Sequence, residues 1–141
     1  MTAPNHITSR DNPLLKRLRA LAQDSTAYRK QGQVWLEGDH LCRAALARGL
    51  KAPLAVVADT AWIGEHGLGQ GSDERADLAS RLARQASRVV VVPEALWKAF
   101  TGLESPARIG FLMPLNGEAS LAGEVMAGVP TVVLDRLQDA G

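Results

Sequence analysis

The sequence predicts an α/β sandwich, with helices on both faces of a mostly parallel or mixed sheet. Three observations lead there. Short continuous apolar runs alternate with segments of helical periodicity in the order β-α-β-α-β. Two of these runs, Leu54 to Ala58 and (after a leading arginine) Arg88 to Val92, lack polar alternation, as strands buried on both faces do. The 141 residues are 46% hydrophobic and 22% charged, enough apolar material for one compact core.

The first helix has a clear start. Asn12 supplies an N-cap, and Pro13 fits the first helical position, where its missing N–H costs nothing. Leu14, Leu15, Leu18, Leu21 and Ala22 recur at helical spacing as one apolar stripe and leave Lys16, Arg17 and Arg19 on other faces. A second short helix is predicted from Asp24 or Ser25 to Gln31, stopped by Gly32. Val34-Trp35-Leu36 reads as a strand leading into Glu37-Gly38. A third helix, from about Asp39 to Arg48, is expected to bury Leu41, Ala44, Ala45 and Cys42 and to end at Gly49.

Beyond the strand at Leu54 to Ala58, residues 64–71 are too rich in glycine for either regular element and are expected to form a flexible loop. Asp73 to Ala86 is a helix with acids in its first turn, basic residues later, and Leu78 and Leu82 on its buried stripe. The strand Arg88 to Val92 is followed by a short helix, Glu94 to Thr101, that buries Leu96 and Phe100 and stops at Gly102. Ile109 to Met113 is a further strand after the Leu103-Glu104-Ser105-Pro106 turn. Glycines at 117, 123 and 128 surround a weakly helical stretch that reads as a linker. Thr131 to Asp135 has strand character but no partner to bury its faces, so the chain looks truncated and is expected to be mobile from about Leu115. The division is 1–114 as one domain, 115–129 as linker, and 130–141 as the start of a second domain.

Composition excludes several classes. No apolar run approaches the roughly 20 residues that span a bilayer, and Met1 to Arg10 has no apolar stretch of the secretory kind. Cys42 is the single cysteine, so neither a disulfide framework nor a multi-cysteine zinc site is available. These features favour a reduced, cytoplasmic compartment. Net charge is only +1, but it is unevenly spread. Residues 1–51 hold nine Lys or Arg against four Asp or Glu, a net of +5, and the remaining residues carry −4. A basic front half suits a surface built to meet a polyanion.

Catalytic constellations are missing. His6, His40 and His66 stand at no metal-ligand spacing, and His40 beside Glu37 and Asp39 reads as a helix-terminus residue. Gly67-Leu68-Gly69-Gln70-Gly71 follows no strand and lacks the dinucleotide-binding spacing. No nucleophile elbow, P-loop or carboxylate pair in a plausible cleft occurs. Trp35 and Trp97 read as core residues. Tyr28 differs, because it sits between the basic helix and Arg29-Lys30, where it could stack on a base.

Several motifs now line up. Ile7-Thr8-Ser9-Arg10-Asp11-Asn12-Pro13-Leu14-Leu15-Lys16, Arg29 in a short basic helix, and Val34-Trp35-Leu36-Glu37-Gly38 with the Leu41 to Leu46 helix follow in order. Leu103-Glu104-Ser105-Pro106-Ala107-Arg108-Ile109-Gly110 and Val132-Val133-Leu134-Asp135-Arg136-Leu137-Gln138-Asp139-Ala140-Gly141 complete the series. Together they resemble the SpoU/TrmH family of RNA 2′-O-ribose methyltransferases, of the SPOUT class, over nearly the whole chain. The resemblance implies an N-terminal substrate-binding domain with a three-layer α/β/α sandwich similar to kink-turn-binding ribosomal proteins. It also implies a knotted C-terminal domain that binds S-adenosylmethionine and forms the active site as a homodimer. The family's first catalytic motif runs past Asp-Pro-Gly to an Asn and an Arg. Here the chain reaches only Gly141, with Ala140 where Pro is usual.

The resemblance therefore implies the RNA-recognition part of such an enzyme, for rRNA or tRNA, with no catalytic, cofactor or metal residue of its own. The expected RNA-binding residues are Arg10, Lys16, Arg17, Arg19, Tyr28, Arg29 and Lys30, with Lys16 and Arg19 sharing an outer helical face. Two other classes stay open: a free-standing RNA-binding protein of the ribosomal type, and a protein-interaction or dimerisation module.

Overall fold

The computed structural model describes residues 3–62, 74–105 and 107–115, with Gly128 and Pro130. The elements in chain order are β1 (Asn5–His6), α1 (Pro13–Gln23), α2 (Ala27–Gln31), β2 (Gln33–Glu37), α3 (Asp39–Ala47) and β3 (Ala52–Ala58). A 3-10 turn (Asp59–Ala61), α4 (Glu74–Gln85), β4 (Ala86–Val92), α5 (Glu94–Trp97) and β5 (Ile109–Pro114) follow. They build one mixed sheet in the order β1-β4-β3-β5-β2. β1, β4 and β3 run parallel, and β5 lies antiparallel to both β3 and β2.

Successive residues of a strand point to opposite faces, and this alternation divides the core in two. On one face Ala55, Val57 and Phe111 meet Cys42 and Leu46 of α3 and Leu78 and Leu82 of α4. On the other, Val56, Val90, Val92 and Leu112 meet Leu15 and Leu18 of α1 with Trp97 and Phe100. The result is an α/β/α sandwich of three layers. Burial pushes the Cys42 thiol up to about 12, so it stays neutral and packs as a small apolar side chain.

The local signals explain the ends of the elements. Asn12 Oδ1 accepts the Leu14 N–H at 2.9 Å, and Pro13 opens α1. Gly32 closes α2 with φ 61°. At the end of α3 the Gly49 N–H donates to the Leu46 carbonyl and the Leu50 N–H to the Ala45 carbonyl, a Schellman cap that needs the positive φ of Gly49.

Two readings of the sequence need correction. α3 buries Cys42, Ala45 and Leu46, whereas Leu41 is 51% exposed and Ala44 also faces solvent. Apolar residues cover more than one side of this helix, so periodicity leaves its rotation open. The rotation is set at Gly38, whose N–H donates to the Ile109 carbonyl before α3 departs. The helix expected over Glu94 to Thr101 also ends at Trp97, and hydrogen-bonded turns carry the chain to Phe100. Phe100 is buried as expected, with Trp97 beside it and Leu96 only partly covered. The glycine-rich stretch 64–71 lies outside the described residues. So does the segment 115–141, apart from Leu115, Gly128 and Pro130.

One glycine is fixed by packing. Trp35 of β2 lies diagonally across β5, and a Cβ on Gly110 would overlap its six-membered ring and approach the Leu36 carbonyl to 2.9 Å. Gly110→Ala is expected to lower stability by about 1–3 kcal/mol, the usual cost of overfilling a packed site. A urea midpoint equal to that of the unmodified chain would show that Trp35 does not occupy this position.

Candidate nucleic-acid interface

The basic residues expected to meet RNA come to lie on α1, α2 and the turn before α1. Arg10 is exposed in that turn, which is closed by the Asn12 N–H donating to the Ser9 carbonyl at 3.2 Å. Lys16 and Arg17 are exposed on α1. Lys16 Nζ stands 3.8 Å from Asp11 Oδ1, with side chains 62% and 89% exposed, a pairing that solvent screens heavily. Arg17 reaches Gln33 Oε1 at 3.5 Å, the long limit of a hydrogen bond. On α2, Arg29 and Lys30 are exposed and Tyr28 is half-buried. Arg29 Nε donates to the Tyr28 hydroxyl at 2.8 Å and its guanidinium carbon sits 5.4 Å from the ring centre, so the two act as one unit.

Arg19 is placed differently from the sequence expectation. Its Nε donates to the Ala99 carbonyl at 2.6 Å, and the side chain is half-buried rather than on the outer face with Lys16. It ties α1 to the turns after α5. The reason is tertiary: the chain end of α5 passes beside α1 and presents an unpaired carbonyl.

The fold adds a residue that the sequence reading used only to begin a strand. Arg88 of β4 lines a cleft of about 240 Å³ together with Arg17, Asn5, Asn12 and Leu54. A neighbouring cleft of about 520 Å³ is lined by Lys16, Arg17, Ala20, Gln31 and Gln33. Arg17 belongs to both. The signal available was a cation abutting the apolar run Val89 to Val92; the structure makes it the third residue of β4, exposed ahead of the buried part of the strand.

Trp97 is fully buried in the core, as expected, and Trp35 is partly buried against it. Their indole N–H groups donate to Glu37, Trp35 to Oε2 at 3.1 Å and Trp97 to Oε1 at 2.8 Å, and the Thr101 hydroxyl donates to Oε1 at 2.6 Å. Phe100 completes the cluster, with its ring centre 4.9 Å from that of Trp97. His6 and His40 are exposed, and among the described residues no group of three or more His, Cys, Asp or Glu could hold a metal ion.

Comparison with known proteins bears on what this surface serves. No protein-family model matches the chain. Over 43 residues it is 54% identical to an uncharacterized tRNA/rRNA methyltransferase of Synechocystis sp., covering 30% of this chain and 15% of that protein. The crystal structure of an AdoMet-bound rRNA methyltransferase from Sinorhizobium meliloti matches 79% of the chain with a TM-score of 0.55 and 20% identity. A crystal structure of an RNA 2′-O ribose methyltransferase matches 94% of the chain with a TM-score of 0.57 and 23% identity. The fold is one that RNA methyltransferases carry. The resemblance seen in the motifs thus extends to three dimensions, over a chain that spans 37% and 43% of the lengths of these two structures. Among the described residues no helix is long and apolar enough to cross a membrane.

A second cluster holds the methyltransferase-like fold together where β3, β4 and β5 meet. Arg108 adopts φ 62°, uncommon for a residue with a side chain. Its carbonyl accepts the Ala58 N–H at 2.8 Å, while its Nε and Nη2 donate to Glu94 Oε1 at 2.8 and 2.7 Å. Glu94 Oε2 accepts the Thr60 hydroxyl at 2.7 Å. The Thr60 hydroxyl, and after it Arg108, hold the Glu94 carboxyl below its ordinary value of 4.5.

Two stability measurements probe these clusters. Glu37→Ala removes the acceptor of three donors, one of them on fully buried Trp97, and is expected to cost about 2–5 kcal/mol. Glu37→Gln keeps one acceptor oxygen and should cost less; equal urea midpoints for Ala and Gln would mean that the acceptor does not matter. For Glu94, the folded carboxyl binds its proton less readily than the unfolded one. Its contribution is therefore present above the unfolded pKa and is lost as pH falls through the folded value. The urea midpoint of the unmodified chain should exceed that of Glu94→Gln at pH 7, and the two should converge in acid. A gap that persists undiminished in acid would rule out the ionised carboxylate as its source.

Proposed function

We propose that the chain is the RNA-recognition part of an S-adenosylmethionine-dependent RNA 2′-O-ribose methyltransferase acting on rRNA or tRNA. The observation that carries this reading is a cluster of exposed cations on α1, α2 and the preceding turn, on a fold shared with RNA methyltransferases. Residues 1–114 form the binding domain, 115–129 the linker, and 130–141 the start of the catalytic domain. The parent enzyme dimerises through that catalytic domain.

The physical role of the surface follows from RNA chemistry. Phosphates along a strand are met by cations held on a rigid frame, and these contacts position the substrate without specifying its sequence. Arg10, Lys16, Arg17, Arg29 and Lys30 provide the charge, and Tyr28, held by Arg29, offers a ring face to a base. Arg19 serves the surface indirectly by fixing α1. Neither of the two clefts beside α1 has a carboxylate in its lining to hold the ribose hydroxyls of S-adenosylmethionine or the ammonium of its methionine part. No chemical step is assigned to this chain, which by itself is expected to be inactive.

The test is binding to single-stranded RNA at several salt concentrations, followed by fluorescence anisotropy. Each phosphate contact contributes a slope of roughly −0.7 in the logarithmic salt plot. Replacing Lys16, Arg29 and Lys30 together by Ala should weaken binding to all sequences and flatten the slope by about 2 units. The control is the triple Ala variant of Arg48, Arg81 and Arg84, exposed on the α3–α4 side. It should change binding little. A control that weakens binding as much as the first triple would overturn the surface assignment.

A further inference from the structure

We propose that the double cleft around Arg17 receives a single unstacked nucleotide of RNA. Its phosphate lies between Arg17 and Arg88, and a base bearing an exocyclic amine is read by Gln31 and Gln33. This inference rests on the RNA-binding reading and assigns it a specific site.

Three features of the cleft point there. The first is charge. Among the described residues, Lys16, Arg17 and Arg88 line it and no carboxylate does, and Arg88 is in neither of the ion pairs seen there, Lys16 with Asp11 and Arg108 with Glu94. Among the described residues the guanidinium of Arg17 is held only by its 3.5 Å contact with Gln33, so both forks are open there to a phosphate, which they match in geometry.

The second is access. Among the described residues β1 pairs with β4 only at Val90 and Val91, and no other strand flanks the stretch of β4 before them on that side. Arg88 is exposed there, at the margin of the sheet, facing the start of α1 across the cleft. Ile7, Leu14 and Leu54 give the cleft an apolar floor on which a ribose or base can rest. The larger part, about 520 Å³, falls in the range of roughly 300–1,000 Å³ typical of sites for small ligands.

The third is an unmet acceptor. Gln31 Oε1 is enclosed and has no hydrogen-bond donor among the described residues, and because Gln31 lines the larger cleft, a rotation of its side chain on binding would bring that oxygen to a ligand. Buried polar atoms are normally paired, and one left without a donor marks a place where a ligand can supply it. The exocyclic amines of adenine and cytosine are such donors, and a glutamine amide pairs with adenine in a two-pronged fashion. Uracil has no exocyclic amine. Phosphate and base recognition thus come from different elements, the arginines of α1 and β4 and the amides of α2 and β2.

The experiment compares oligo(A), oligo(C) and oligo(U) of equal length as anisotropy probes for the unmodified chain, Arg88→Ala and Gln31→Met. The unmodified chain should prefer oligo(A) and oligo(C) over oligo(U) by about 5-fold or more. Arg88→Ala should weaken binding to all three alike and flatten the salt slope by about 0.7. Gln31→Met should abolish the preference while leaving oligo(U) affinity unchanged, and its urea midpoint should be no lower than that of the unmodified chain. Arg88→Ala binding as tightly as the unmodified chain, or Gln31→Met retaining the preference, would overturn the site. If replacing Arg29 and Lys30, which line neither part of the cleft, still weakens RNA binding in that case, the failure is of the cleft alone. Absence of RNA binding by the unmodified chain would overturn both readings.

Discussion

The carboxylate of Glu37 ties together parts of the chain that no local preference would bring into register. It sits at the end of β2 and accepts the indole N–H of Trp35 on its own strand, the indole N–H of Trp97 on α5, and the hydroxyl of Thr101 beyond it. Three donors satisfy this half-buried carboxylate, and removing it would leave the indole N–H of the fully buried Trp97 without its acceptor. The next residue turns the chain to the other layer. Gly38, at φ 108°, hands its N–H to the Ile109 carbonyl and launches α3 onto the opposite face of the sheet. The pair Glu37-Gly38 therefore closes one layer and opens the next. The aromatic cluster it secures is the floor beneath α1, and α1 carries the cations of the candidate interface.

That dependence explains why neighbouring arginines on one helix have different duties. Arg17 and Arg19 are two residues apart, and composition treats them alike. Arg19 meets the Ala99 carbonyl because Trp97 and Phe100, held in the core, bring that turn against α1. Among the described residues Arg17 touches the Gln33 amide and otherwise faces a cleft. On the proposed RNA-binding reading, the charge that counts is thus smaller than the sequence total on the segment, and Arg88 joins it from β4 by lining a cleft with Arg17. A surface assembled from α1, α2 and β4 is rigid to the extent that the sheet is, which suits positioning a substrate rather than merely attracting it.

Much was legible from local chemistry. The cap at Asn12-Pro13, the stops at Gly32 and Gly49, the leucine stripe of α1 and the apolar runs of β3 and β4 all report on forces acting within a few residues, and each lies where those forces put it. The α/β class followed from their alternation, because a run without polar residues has to be covered on both sides. The rotation of α3 was not legible in the same way. Leu41, Cys42, Ala44, Ala45 and Leu46 offer two competing apolar faces, and the choice between them is made at Gly38 by a hydrogen bond to β5, some 70 residues further along the chain.

By itself the sequence determined the elements, their class of packing, the basic character of the first 51 residues and the motifs that resemble RNA methyltransferases. The tertiary structure alone decided the strand order, in which β5 enters between β3 and β2, and with it the pairing of Trp35 over Gly110. It also decided which cations are free to meet a ligand and which are fastened to the frame. The physical reason is the range of the interactions. Caps, turns and periodicity act between residues close in sequence, whereas the partner of a guanidinium, an indole or a carboxylate is whatever the fold brings within about 3 Å of it.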